Sequence, residues 1–300
     1  RNTHIGNVKK GKDVVILNII AYTFSGLIAL ICLIPFVMIL AASFSSETAI
    51  TANGFSLVPQ DFSLDAYKTV FKEPMVVFRA YATTIMLTVV GTTVGLVVQT
   101  MTAYVLSRKD FEWRNGFSFF FYFTTLFSGG LVPTYILYTR TLNLQDNYFA
   151  LLLPLIFSVY NLLIMKSYIS AIPDSLVDAA RIDGCGEIRT LFQVIMPLIK
   201  PALATVGLFI ALAYWNDWYN CMLFINDSSK WNLQYTLQNI LNSSEALNRM
   251  ASQTGMKVAS LPAESMKMAM TVVAIGPIIL LYPFLQKYFV KGIVMGAVKE

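Results

Sequence analysis

Asp178-Ala179-Ala180-Arg181-Ile182-Asp183-Gly184 runs on through Cys185 and Gly186 to Val194-Ile195-Met196-Pro197. It lies in a polar loop of about 35 residues, 166–200, set between long apolar runs. The stretch reads as two short helices with a break between them. Pro173 suits a first helical turn, where a missing N–H costs nothing, and Asp174 favours the positive end of the helix dipole. Leu176, Ala179, Ala180 and Ile182 fall within a turn of one another, giving an apolar and mostly small face. Gly184 is placed to end the helix in a left-handed conformation. Small alanines let another protein's surface come close, which is unusual for a solvated loop.

The chain around this loop is 56% apolar and 13% charged, with a mean hydropathy of +0.61, which excludes an ordinary soluble domain. Six runs are long enough to span a bilayer, given a need for about 20 apolar residues. They are Val14–Ala42, Ala80–Leu106, Asn115–Thr139, Asn147–Met165, Pro201–Ile225 and Met268–Gln286. Backbone polar groups must be satisfied inside lipid, so these runs are expected to be helices, in an all-α integral membrane protein. With both termini in the cytoplasm, the inner segments hold fourteen Lys and Arg and the outer ones eight. The positive-inside rule favours that orientation and puts the Asp178–Pro197 stretch inside the cell.

The net charge of +5 is spread between the spans and carries no nucleic-acid footprint. Cys32, Cys185 and Cys221 have no metal spacing and frame no disulfide pattern, and His4 is the single histidine. The segment from Gly6 to Asp13 comes close to a phosphate-binding loop, but Asp13 stands where a Ser or Thr must hold magnesium. The basic tail, residues 1–13, is expected at the anionic inner leaflet. No cleavable signal peptide is read at the start of the chain.

The loop resembles that of permease subunits of ATP-driven, binding-protein-dependent importers. Its pattern there is Glu-Ala-Ala, three residues, Gly, nine residues, Ile-x-Leu-Pro. Asp178, Ala179, Ala180, Gly184, Val194, Met196 and Pro197 fill the matching positions, with Asp for Glu, Val for Ile and Met for Leu. The segment Ser43–Phe78, with Pro59 and Tyr67, resembles the matching outer segment of maltose-type sugar importers. The tail 288–300 resembles one of that subfamily's two permease chains. Gly292 and Gly296 match the glycines that enter the interface between the ATPases.

The resemblance implies a type I importer permease fold of six spans, 14–287, with an ATPase-coupling loop, 166–200, and an outer loop, 226–266. It implies no catalysis and no cofactor on this chain, with ATP and magnesium on two partner ATPase subunits. The other implied partners are a second, homologous permease and an extracellular sugar-binding protein, in the membrane of a bacterial cell. It implies an oligosaccharide cargo. Amino-acid, peptide or phosphate import is the alternative, and an ion-coupled carrier would need a buried ionisable relay that only Asp217 could begin.

Polar and aromatic residues inside spans are the candidates for a transport path. Trp215, Asn216, Asp217 and Trp218 lie roughly 20–27 Å along the fifth span from Pro201, with the two Trp expected on one face at i and i+3. Aromatic faces with amide and carboxylate acceptors suit sugar rings. An interfacial aromatic belt, with Asp217 as a cap, is the plainer reading. In the third span Gly129, Gly130 and Pro133, followed by Tyr135, predict a break that shapes the path, with close helix packing as the rival. Asn161 in the fourth span adds a polar group, either to the path or to a helix–helix hydrogen bond.

Overall fold

The computed structural model describes residues 12–254 and 263–279, and these are helical apart from loops and one isolated bridge, Ser45 to Phe62. The chain divides into two compact units: Arg1–Lys72 with Ser244–Val273, and Glu73–Ser243 with Ala274–Glu300.

In the first unit α1 runs from Lys12 to Ser43 and two short helices follow, α2 (Glu47–Asn53) and α3 (Asp65–Val70). Ser46 caps α2 by accepting from the Ala49 N–H. Tyr67 donates its hydroxyl to Ser43, and Phe44 packs on the rings of Phe62 and Tyr67. The Glu47 carboxylate takes the N–H groups of Glu264 and Ser265, which caps the helix over 263–279. A charge and two otherwise orphaned donors are satisfied together.

The second unit is built on α4 (Pro74–Ser107). Val77, Ala80, Thr84, Leu87, Gly91 and Gly95 recur every three or four residues along it and form one buried stripe. α12 (Lys200–Trp215) and α8 (Val159–Ser170) pack against α4. In lipid, apolar side chains gain little by meeting one another, so contact distance decides the packing. Gly91 and Gly95 supply it. A Cβ at Gly91 would lie 2.2 Å from the ring of Tyr214, and one at Gly95 3.0 Å from the Ile156 carbonyl oxygen.

Two helices are long and apolar enough to cross a membrane unbroken, Ile16–Ser43 and Pro74–Ser107. The expected third span is broken between α5 (Arg114–Leu126) and α6 (Leu131–Ile136), with a bend of 112°. The fourth is bent by 50° between Phe149–Leu155, which begins as α7 (Phe149–Leu152), and α8. The fifth was expected as one helix, but α12 stops at Trp215 and α13 (Tyr219–Phe224) follows a break. The adjacent Asn216 and Asp217 offer local side-chain bonds that compete with a continuing helix. Of the sixth run, 268–279 is helical and 280–286 lies outside the described residues.

Candidate functional site

The loop forms the two helices its sequence predicts, α9 (Asp174–Ile182) and α10 (Glu187–Thr190). α10 continues through a π-turn, Leu191–Ile195, into α11 (Met196–Leu198). Pro173 is the N-cap residue of α9, with ψ at 133°, and not its first helical residue. Gly184 ends α9 at φ +76°. Its N–H reaches the Arg181 carbonyl, and the Cys185 N–H reaches Ala180 at 2.9 Å. These paired bonds form a Schellman cap, which turns the chain sharply and fixes the end of α9.

The predicted apolar face is divided. Val177 and Ala180 point inward, Ala180 with 6% exposure, while Leu176, Asp178, Ala179 and Ile182 point outward. Ile182 is 87% exposed and Ile188, on α10, is 70% exposed. Ile195 is buried in the core with Leu191 and Val177, and Met196 packs against it. Val194 is half-buried and Pro197 exposed. Thus the Val194–Pro197 end of the motif anchors the loop, and the α9 side presents a surface.

Charged groups tie that surface to α4. Arg181 makes ion pairs with Asp110 at 2.8 Å and Glu187 at 2.7 Å. Arg108 grips Asp110 through Nε and a terminal nitrogen, at 3.1 and 3.0 Å. Glu187 also accepts from the Tyr104 hydroxyl at 2.6 Å, and Lys109 pairs with Asp174 at 2.6 Å. Hydrogen bonds from Arg108 and then Arg181 hold Asp110 well below the usual carboxylate range. The Tyr104 hydroxyl, with Arg181, lowers Glu187. Sequence reading missed this network because Asp110 and Arg181 are 71 residues apart. The charges on either side of the second and third runs were the available signal.

In the second unit four of the path candidates, Trp215, Asn216, Asp217 and Trp218, lie at the α12–α13 break, whereas Gly129, Gly130 and Asn161 lie on other elements. Trp215 is buried and donates Nε1 to the Ala274 carbonyl at 3.1 Å. Trp218 is exposed and stands off the helix, so the two indoles do not share a helical face. Asp217 accepts from the Asn220 N–H and side-chain amide, both at 3.1 Å, and its carbonyl takes the Asn232 amide. That is the capping role of the plainer reading. Asn216 is exposed, with its Oδ1 3.4 Å from the Gln234 amide. Tyr135 stacks on Phe224, which joins the broken third run to α13. Gly130 has φ +88°, and a Cβ on Gly129 or Gly130 would meet nothing within 4 Å, so these glycines serve the bend and not close packing within the chain. Asn161 is buried in α8. Gly292 and Gly296 lie outside the described residues. Among the described residues no cluster of metal-ligating side chains occurs.

Residues 146–295 match the family described as the binding-protein-dependent transport system inner membrane component. The chain belongs to this family. The permease is 39% identical to the polygalacturonan/rhamnogalacturonan transport system permease protein YtcP of Bacillus subtilis (strain 168), over 95% of this chain and 98% of that one. It is 28% identical to the arabinooligosaccharides transport system permease protein AraQ of Halalkalibacterium halodurans, over 91% of this chain and 93% of that one. A bacterial ABC transporter involved in import of the acidic polysaccharide alginate has a chain of similar structure. That chain matches with a TM-score of 0.75 and 31% identity, covering 93% of the permease and 98% of its counterpart. The permease is therefore an integral membrane subunit without enzymatic activity of its own, in a system whose ATPase resides on separate subunits.

Proposed function

We propose that this permease carries oligosaccharides inward across a bacterial cell membrane and couples that movement to ATP through α9. The observation that carries the coupling is the outward face of Leu176, Ala179 and Ile182 on a helix fixed at both ends. Oligosaccharide cargo is supported by the relatives, which are named for polygalacturonan and rhamnogalacturonan, for arabinooligosaccharides or for import of the acidic polysaccharide alginate. Six spans over 14–287, with tails 1–13 and 288–300 and the loop 166–200 in the cytoplasm, follow from the apolar runs and the Lys and Arg balance. The outer loop 226–266 faces an extracellular sugar-binding protein.

In the complex, a second, homologous permease and two ATPases complete the machine, and ATP and magnesium stay on the ATPases. The outward face of α9 sits in a groove of one ATPase, with Asp178 at its edge. Closure of the ATPases pushes α9. The Arg181 network passes that push to α4, and α4 to α8 and α12 packed on it. At the α12–α13 break, exposed Trp218 offers a ring face and Asn216 an amide, while Trp215 and Asp217 hold the break in shape. Gly292 and Gly296 enter the gap between the ATPases.

The test is co-purification in detergent of the tagged permease with its co-expressed partners, followed by assay of sugar-stimulated ATP hydrolysis. Recovery of an ATPase and a second permease, with the ATPase alone lost on Ile182→Asp, is the expected result. A permease that purifies alone and moves solute without ATP overturns the reading.

A further inference from the structure

Beside the coupling loop, Arg108, Lys109, Arg114 and Lys166 line a single cavity of about 490 Å3, and Asp174 is the one acid in its wall. Two of the four cations are matched. Lys109 pairs with Asp174, and Arg108, whose side chain is only 15% exposed, is gripped by Asp110. The other two are not. Among the described residues neither Arg114 nor Lys166 has a carboxylate within ion-pair distance, and both are half-buried. Lys166 donates to the Ser118 hydroxyl at 2.8 Å, and that hydroxyl in turn donates to the Arg114 carbonyl at 2.6 Å.

A partly desolvated ammonium with only a neutral oxygen beside it lacks the charge partner that would offset its burial. The helix dipoles do not provide one. The starts of α5 and α9 and the ends of α4 and α8 all reach this cavity, so their opposite poles offset and the side chains set its sign. The position narrows the chemistry. Arg108 follows the last residue of α4, Arg114 is the first of α5, and Lys166 lies near the end of α8. That is the level at which lipid headgroups stand when these helices span a bilayer, and basic pockets between span ends suit phosphate headgroups.

We infer that this cavity binds a phosphate group, supplied by an anionic phospholipid of the leaflet on the coupling-loop side or, with the same chemistry, by inorganic phosphate. Only the identity of that leaflet rests on the orientation proposed above. Arg114 and Lys166 are the two groups left for the anion, with Arg108 and Lys109 adding field from their paired positions. A lipid seated there touches both α8 and the start of α9, so its presence stiffens the joint between a span and the coupling helix.

The transporter is purified in detergent with its partner subunits and equilibrated with mixed micelles of phosphatidylglycerol and phosphatidylcholine. Retained lipid is counted by native mass spectrometry, and binding of radiolabelled inorganic phosphate is measured in parallel. Selective retention of phosphatidylglycerol is expected, weakened about fivefold by Lys166→Gln or by Arg114→Gln and kept by Lys166→Arg. Unchanged melting temperature and subunit recovery show that the variants are folded. Phosphate binding with the same dependence on both residues, and no selectivity among lipids, supports the site and makes free phosphate its source. Equal retention of both lipids with no phosphate binding, or retention indifferent to both substitutions, overturns the inference. Sugar-stimulated ATP hydrolysis is read on the same wild-type preparation. Its absence would count against the proposed import function and leave the lipid result standing.

Discussion

At the scale of single residues, distance to a neighbour separates positions that look alike in the sequence. Gly91 and Gly129 are both glycines in apolar runs, yet only Gly91 lies against a ring, that of Tyr214. Tyr214 is fully buried and donates its hydroxyl to the Leu152 carbonyl at 2.6 Å, so it cannot swing aside. Gly91→Ala is therefore expected to destabilise the permease by about 1–3 kcal/mol, seen as a lowered melting temperature in detergent. Gly129→Ala leaves that temperature unchanged. Equal behaviour of the two variants would mean that α4 and α12 pack less closely than described. Ala179 and Ala180 make a second such pair. Ala180→Leu should cost about 1–3 kcal/mol of stability by overpacking the inward side of α9. Ala179→Leu keeps the fold and loses the ATPase on co-purification. The reverse pattern would place the docking surface on the other face.

At the scale of elements, the loop was legible because its pattern is local: two alanines, a glycine and a proline at fixed spacing define two helices and a cap. Its attachment was not legible. Arg181, Asp110, Glu187 and Tyr104 come from two stretches far apart in the chain, 104–110 and 181–187, and no periodicity within one stretch links them. The α12–α13 break was also missed, since an apolar run with two Trp three residues apart reads as one helix. The Asn216-Asp217 pair was the signal to the contrary, because both side chains bond the nearby backbone in place of helix. The network has a definite pH dependence. Asp110 and Glu187 are depressed relative to their unfolded values, so their contribution is complete above the unfolded carboxylate range, near pH 4, and is lost as pH falls through the lower folded values. Arg181→Met should thus lower both the melting temperature and sugar-stimulated ATP hydrolysis at pH 7. The gap in melting temperature from wild type closes as the pH is taken below about 4. A gap that stays constant across that range would show that Arg181 acts through packing alone.

At the scale of the whole molecule, the apolar runs mark helical segments, of which two among the described residues are long and apolar enough to cross a membrane unbroken, because length and hydropathy are set by the bilayer and not by any partner. They could not show where helices bend, since a break that faces protein or a cavity leaves the composition of the run unchanged. Orientation rests on different physics, the fourteen-to-eight bias of Lys and Arg, and can be tested without regard to the bends. Ser175 on α9 and Ser229 in the outer loop are on segments expected on opposite sides of the membrane. Cys185, half-buried beside α9, is first changed to serine so that it does not report in place of the probe position. Single Ser175→Cys and Ser229→Cys variants are then labelled with a maleimide that cannot cross lipid. Ser229→Cys should label in intact cells, and Ser175→Cys only in inverted vesicles. The opposite result would put α9 outside the cell, away from ATP, and no amount of exposed apolar surface on it could then serve an ATPase. Labelling of both from one side would instead mean that the single run between them, Pro201–Ile225, turns back at the α12–α13 break without crossing.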